Sequence, residues 1–155
     1  MLSSLEVLDQ LIEAEQEMAL SIYKWVDASQ HDLNLKVRSN AYFVLSYYYE
    51  FAWFVPKDLT QARYFLEQAA NLGHAAACYE LARKFLLEKH NEEGRALWWI
   101  NQGLNQIDDE TFNCKIINYT QCELKEDLEA LKKICINMIN QKEQQQVINK
   151  PVPKF

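Results

Sequence analysis

The sequence predicts an all-α protein: a short α-solenoid of two helix pairs, with capping helices at both ends. Three observations predict it. Glycine and proline number only three each in 155 residues, too few turn formers for a sheet-rich fold. Apolar residues recur at steps of three and four along most of the chain, the period of a helix with one buried face. The middle of the chain also repeats itself. Ala41, Leu45 and Tyr49 recur 36 residues later as Ala77, Leu81 and Phe85, and Ala62, Phe65 and Ala69 recur 34 residues later as Ala96, Trp99 and Gly103. Self-similarity at such a period marks stacked helix pairs, since one pair cannot bury its own apolar face. The two-residue difference falls in a connecting loop, where a deletion costs little.

The elements follow in order. Residues 4 to 29 read as one amphipathic helix, with Leu5, Leu8, Leu11, Ile12, Met18, Ile22, Trp25 and Val26 on a stripe and Ser3 or Ser4 as the cap. With its exit loop, the segment 4–31 forms the N-terminal capping helix. Asp32 is placed to cap the next helix, from about Leu33 to Trp53. Asp58 caps a third, which ends at Leu72, and Gly73 stands where the chain needs a left-handed residue. A fourth covers about His74 to Glu88. Asn91 caps a fifth, from Glu92-Glu93 to near Leu104. Asp108 or Asp109 caps a helix through about Gln121, and a last one runs from about Lys125 to Gln144, with Leu128, Leu131, Ile134, Cys135, Met138 and Ile139 on its stripe. The chain thus divides into one helical-repeat domain, 1–145 (repeats at 33–104, C-terminal helices at 108–145), and a tail, 146–155.

Composition narrows the function. With 49% hydrophobic and 25% charged residues the chain is an ordinary globular one and not a disordered tail. Its net charge of -6 repels phosphate backbones, and the longest basic cluster is Lys132-Lys133, so nucleic acid is not an expected partner. The first residues carry Glu6, Asp9 and Glu13 where a secretory leader would be basic, and no apolar run approaches the ~20 residues of a membrane span. The expectation is a cytoplasmic protein that does not enter the membrane. Cys78, Cys114, Cys122 and Cys135 form no C-x-x-C pair and read as small buried hydrophobes. A metal site of His90, Cys78 and Cys114 lacks ligand spacing, so neither metal nor cofactor is expected. Enzyme motifs such as G-x-S-x-G, a glycine-rich phosphate loop or H-E-x-x-H do not occur. The paired acids Glu92-Glu93 and Asp108-Asp109-Glu110 sit at predicted helix starts, where they offset the helix dipole.

The residues of the repeat resemble a known family. The stretch ARYFLEQAANLGHAAACYELA is similar to the Sel1-like repeat, a relative of the tetratricopeptide repeat. Leu45, Tyr49, Val55, Asp58, Ala62, Phe65, Ala69, Ala70, Gly73, His74 and Ala77 match its pattern in register. The resemblance runs from Ala41 to Leu87, more weakly to Leu104, and covers under half of the chain. Ala52 and Phe54 stand where the family's turn has glycines, Ser46 and Ala82 where it has Gly after Leu, and the second unit lacks the turn motif.

The resemblance implies a protein–protein interaction module without catalytic activity. Among small bacterial members one recurring role is an immunity protein that binds and neutralises a secreted toxin. The alternative is a self-associating scaffold or signalling adaptor. In the related tetratricopeptide repeat, the helix face beside the core lines a ligand groove. Eight aromatic residues fall within the thirteen positions from Tyr42 to Phe54, more than one face can hide. If Ala41, Leu45 and Tyr49 face the core, Phe43, Tyr47, Glu50 and Phe51 lie on another face. The matching positions of the second unit are Tyr79, Arg83 and Leu86, and Trp98 is turned away from the core by its neighbour Trp99. These eight are the candidate partner-binding residues, an aromatic groove edged by Glu50 and Arg83. The competing arrangement folds the N-terminal helix over this face to bury its own stripe. Complementary charge calls for a basic surface on the partner, with the chain a monomer or weak homodimer.

Overall fold

A computed structural model describes residues 3–53, 55–88, 92–107 and 121–149, apart from the side chains of 11, 12, 14–23, 121 and 122. All its regular elements are helical: α1 (Ser4–His31), α2 (Leu35–Glu50), α3 (Leu59–Asn71), α4 (Ala75–Glu88), α5 (Glu93–Gln106) and α6 (Gln121–Asn149). The protein is all-α, as its periodicity predicts. The chain forms two compact units, the first ending at His74 and the second beginning at Ala75.

In the first unit, caps set the helix ends. Ser3 opens α1 with a capping box: its Oγ accepts the Glu6 N–H at 3.3 Å, and the Glu6 carboxylate accepts the Ser3 N–H at 2.7 Å. Leu5 and Leu8, assigned to the buried stripe, are exposed; the rest of that stripe from Leu11 to Ile22 lies outside the described side chains. Asp32 ends α1 and does not cap α2. Its carboxylate takes the Asn34 N–H at 2.8 Å, and Asn34 caps α2 by accepting the Lys36 N–H at 2.9 Å. The loop therefore lies two residues further along the chain than expected. Asp58 caps α3 as expected, accepting from Thr60 and Gln61 at 3.1 Å each.

α2 packs against both α1 and α3. That central position explains why Ala41, Phe43, Val44 and Leu45 are all buried, although consecutive residues point to different sides of a helix. Facing α2, Ala62, Leu66, Ala69 and Ala70 of α3 are buried. Phe65 stacks on Tyr42 at 6.1 Å and on Tyr49 at 5.6 Å, two helical turns apart along α2. α3 closes on a left-handed glycine. Gly73 has φ 89°, the His74 N–H reaches the Ala69 carbonyl at 3.1 Å, and the Gly73 N–H reaches Ala70 at 3.0 Å. This is a Schellman ending, which satisfies carbonyls that a helix end otherwise leaves open.

In the second unit, α5 packs against α4 and α6, and α6 also touches α4. Leu81, Ile100 and Leu128, one from each helix, are fully buried. Gly103 marks the closest approach: a Cβ there would stand 3.1 Å from the Cys78 Cβ and 3.3 Å from a Leu128 methyl. Glu93, in the first turn of α5, is buried and pairs with Lys142 of α6 at 2.6 Å, while the Cys135 thiol donates to the Glu93 carbonyl at 3.0 Å. α6 is longer than its apolar stripe predicts. It runs on through 145–149, of which 146–149 were read as tail, carried on from the run of Gln, Lys and Glu at 141–146, which are good helix formers even without a buried face. Of the predicted stripe, Leu128 and Cys135 are buried but Ile134 is exposed. Asn91 as a cap, Phe54, the expected helix before Gln121, and residues 150–155 lie outside the described residues.

Candidate protein-interaction surface

The carboxyl end of α2 determines the site. The helix would end cheaply on a glycine, but the residue after its last turn is Ala52, held at φ 53°. A side chain in that region costs roughly 1–2 kcal/mol. The turn nevertheless forms as it does after α3, with the Trp53 N–H reaching the Tyr48 carbonyl at 2.9 Å. The Tyr49 carbonyl is taken by the Asp58 N–H at 3.1 Å, which ties the end of α2 to the start of α3. The strained residue stands between two aromatic side chains, Phe51 and Trp53, and reverses the chain so that both lie against Tyr47.

The result is a three-ring ridge. Tyr47 stacks on Phe51 at 5.4 Å and on Trp53 at 6.0 Å, and Phe51 meets Trp53 at 5.8 Å, with interplanar angles between 25° and 30°. Tyr48 supports Trp53 edge-on at 5.8 Å. Phe51 is 52% exposed and Trp53 41%; Tyr47 and Glu50 are half-buried. The ridge is anchored from below. Phe43 meets Tyr47 edge-on at 5.0 Å and stacks on the buried His74 at 4.3 Å. Burial with these apolar neighbours holds His74 neutral, its pKa lowered to about 3, because a charged imidazolium is poorly solvated there.

This geometry corrects one site residue. Phe43 was expected on the binding face, but it is 0% exposed, and it supports the ridge from the core without forming part of it. The physical reason is that α2 has packed neighbours on more than one side, so helical rotation away from Ala41 and Leu45 does not lead to solvent. Tyr47, Glu50 and Phe51 stay at the surface end of α2, and α1 leaves Phe51 and Trp53 exposed. Trp53 stood out in the sequence only as one of an aromatic run. The signal that would have found it is its place directly after Ala52, at the end of a helix where a left-handed residue, usually glycine, is called for.

In the second unit, Tyr79 and Arg83 share one face of α4, the guanidinium lying 5.6 Å from the ring centroid, with Glu80 3.5 Å from Arg83. Burial raises the Tyr79 phenol above its ordinary pKa, and Arg83 opposes the shift. Leu86 is half-buried on the same helix. Trp98 is 54% exposed on α5 and meets Trp99 edge-on at 4.6 Å.

Other chemistry has little support among the described residues. Burial pushes the Cys78 thiol up to about 12 and also raises Cys135, helped by Glu93, so neither is poised as a thiolate. No cluster of three His, Cys, Asp or Glu among the described residues could hold a metal. His90 and Cys114, and the side chain of Cys122, lie outside them, as do Asp108, Asp109 and Glu110. Glu92 and Glu93 are engaged with Arg95 and Lys142. No described helix is long and apolar enough to cross a membrane.

No family model, curated protein or solved structure matches the chain. The functional reading therefore stands on the residues themselves.

Proposed function

We propose that the chain is a protein-binding module without catalytic activity, which engages its partner through the Tyr47–Phe51–Trp53 ridge. One observation carries this reading. A non-glycine residue, Ala52, is held in a left-handed conformation between two large aromatic side chains that are about half exposed. Backbone strain of this kind persists where it presents a functional group, and tyrosine and tryptophan supply large contact area at low entropic cost. An arrangement selected for stability alone would carry glycine at 52 and bury the rings.

The finer reading rests on the resemblance to Sel1-like repeats and on the acidic charge of -6. In it, two stacked Sel1-like helix pairs form a short solenoid. The bound protein is a toxin with a basic surface, and the chain is its cytoplasmic immunity protein. Complementary charge would speed such an encounter.

The test is capture of the partner by the tagged protein from its own cells, alongside Trp53→Ala. The expected result is one stoichiometric partner that Trp53→Ala loses while the protein stays folded, its melting temperature lowered by no more than a few degrees. Equal capture by Trp53→Ala overturns the ridge as the binding surface. A captured protein that is toxic alone and harmless with this chain carries the immunity reading; a harmless one removes it.

A further inference from the structure

We propose that the first turns of α1, Ser4 to Glu13, are a second docking surface, and that they receive a basic amphipathic helix of a partner protein. α1 carries this surface by itself, and the aromatic ridge has no part in it.

Helix lengths leave these turns uncovered. α1 has 28 residues and α2 has 16. The link between them is Asp32-Leu33-Asn34, and the Arg38 guanidinium donates to the Ser29 carbonyl at 3.0 Å. α2 therefore runs back along α1 as its antiparallel neighbour. It leaves about twelve residues of α1, roughly 18 Å of helix, beyond its own end. Every residue from Ser3 to Gln10 is exposed, as is Glu13, whereas Trp25 and Val26 are half-buried and Ser29 is buried.

The overhang is nevertheless amphipathic. Leu5 and Leu8 are 74% and 52% exposed and stand three residues apart, and helical register continues their strip to position 12. Glu6, Asp9 and Glu13 repeat that spacing one residue further on, which sets an acidic stripe along one edge of the apolar strip. The capping box of Ser3 and Glu6 holds the start of the helix, so binding does not have to order it. An exposed apolar strip edged by charge is one half of a two-helix seam.

Charge selects the occupant. Residues 1–23 contain Glu6, Asp9, Glu13, Glu15 and Glu17 and no Lys, Arg or His. A second copy of this face would set acid against acid, which disfavours pairing. The chain itself does not supply the complement. Among the described helices only α2 is net positive, and it already packs between α1 and α3. α6, the other long helix, holds five acids against four lysines. The segment 150–155 is shorter than the roughly eleven residues that three turns require. A partner helix with apolar residues at three- and four-residue spacing and lysine or arginine beside them satisfies both stripes at once. Its apolar side covers Leu5 and Leu8, and its cations face Glu6, Asp9 and Glu13.

The experiment titrates the full chain into fluorescein-labelled amphipathic helical peptides of about 20 residues, one built from Leu and Lys and one from Leu and Glu, at about 0.15 M salt. Circular dichroism verifies that each variant is folded. The Leu–Lys peptide is expected to bind and the Leu–Glu peptide is not. Leu5→Ala with Leu8→Ala should weaken the Leu–Lys peptide at least about ten-fold. Asp9→Lys with Glu13→Lys should do the same and admit the Leu–Glu peptide. These four positions are exposed, so the variants should keep the wild-type fold. Two controls should bind the Leu–Lys peptide like the wild type: Trp53→Ala, and Glu126→Gln with Glu129→Gln, which removes two exposed acids from α6.

Absence of Leu–Lys binding below about 100 μM overturns the proposal, as does binding that survives Leu5→Ala with Leu8→Ala. An equal loss from the α6 acids reduces the contact to unspecific charge attraction and also overturns it. A wild type that dimerises through Leu5 and Leu8 assigns the surface to a second copy, with the same consequence. If Trp53→Ala loses the peptide, the peptide lies on the ridge: this inference fails and the proposed function stands. If the peptide binds α1 as expected while capture of the cellular partner ignores Trp53→Ala, the inference stands and the ridge fails as the binding surface.

Discussion

Phe43 stacks on His74 at 4.3 Å, ring over ring at 30°, with both side chains fully buried. This contact ties the middle of α2 to the residue that follows the glycine ending of α3. Everything exposed at the end of α2 stands on it, because Phe43 also supports Tyr47.

Phe43→Ala should therefore act on stability. Truncating a buried aromatic costs about 3–5 kcal/mol, and the loss is read as a lower denaturation midpoint with an unchanged slope. Phe51→Ala and Trp53→Ala remove half-exposed rings and should cost no more than about 1 kcal/mol. If Phe43→Ala melts like the wild type, its buried placement is wrong.

His74 makes stability depend on pH. Its ordinary pKa is 6.5 and its folded value about 3, so between those values the unfolded chain binds a proton that the folded chain does not. Stability is thus fully present above about pH 6.5 and falls as the pH drops toward 3. By pH 5 the loss reaches about 2 kcal/mol. Chemical denaturation at pH 7 and pH 5 should show this loss in the wild type and its absence in His74→Leu. A His74→Leu protein with an undiminished pH dependence would assign the effect to other groups.

Ala52→Gly should raise stability by about 0.5–1 kcal/mol. Glycine relieves the strain at φ 53°, and the gain is reduced by its greater freedom in the unfolded chain. The same variant loosens the link between Phe51 and Trp53, so it should weaken partner binding while raising the melting temperature. A variant that is both less stable and equally good at binding contradicts the strained turn.

Gly103→Val tests the second unit. The added Cβ would press on Cys78 and Leu128 at 3.1 and 3.3 Å, and overpacking of this kind costs about 1–3 kcal/mol. An exposed control exists at Gly94, where an added Cβ meets nothing within 4 Å; Gly94→Ala should be neutral or slightly stabilising.

Lys142→Met removes the cation that faces Glu93 at 2.6 Å. The carboxylate is nearly buried, so weakening its pairing should cost about 1–3 kcal/mol. Lys142 is partly exposed, which places the effect toward the low end. Adding Glu93→Gln should recover part of the loss, and a double-mutant cycle measures the coupling.

Much of this was legible along the chain. Helix existence followed from apolar period, and helix ends followed from residues whose chemistry acts locally: Ser3 with Glu6, Asp58 with Thr60 and Gln61, Gly73 at its left-handed turn. Each depends only on atoms a few residues apart, so the sequence by itself determined them. What it placed wrongly were the cap of α2, which is Asn34 and not Asp32, and the end of α6, where several nearby polar residues could serve equally well.

The candidate site was half legible. The aromatic run and Glu50 were visible, but which rings meet solvent was not, because exposure depends on how many neighbours a helix acquires. Packing of α2 against α1 and α3 sent Phe43 inward against His74, and the left-handed Ala52 turned Trp53 back onto Tyr47. Sequence determined the described helices of this protein and the caps at Ser3, Asp58 and Gly73 through local hydrogen bonds and period. Only the tertiary structure decided which aromatic residues became core and which became surface, since burial is fixed by contacts between segments that the linear order does not specify.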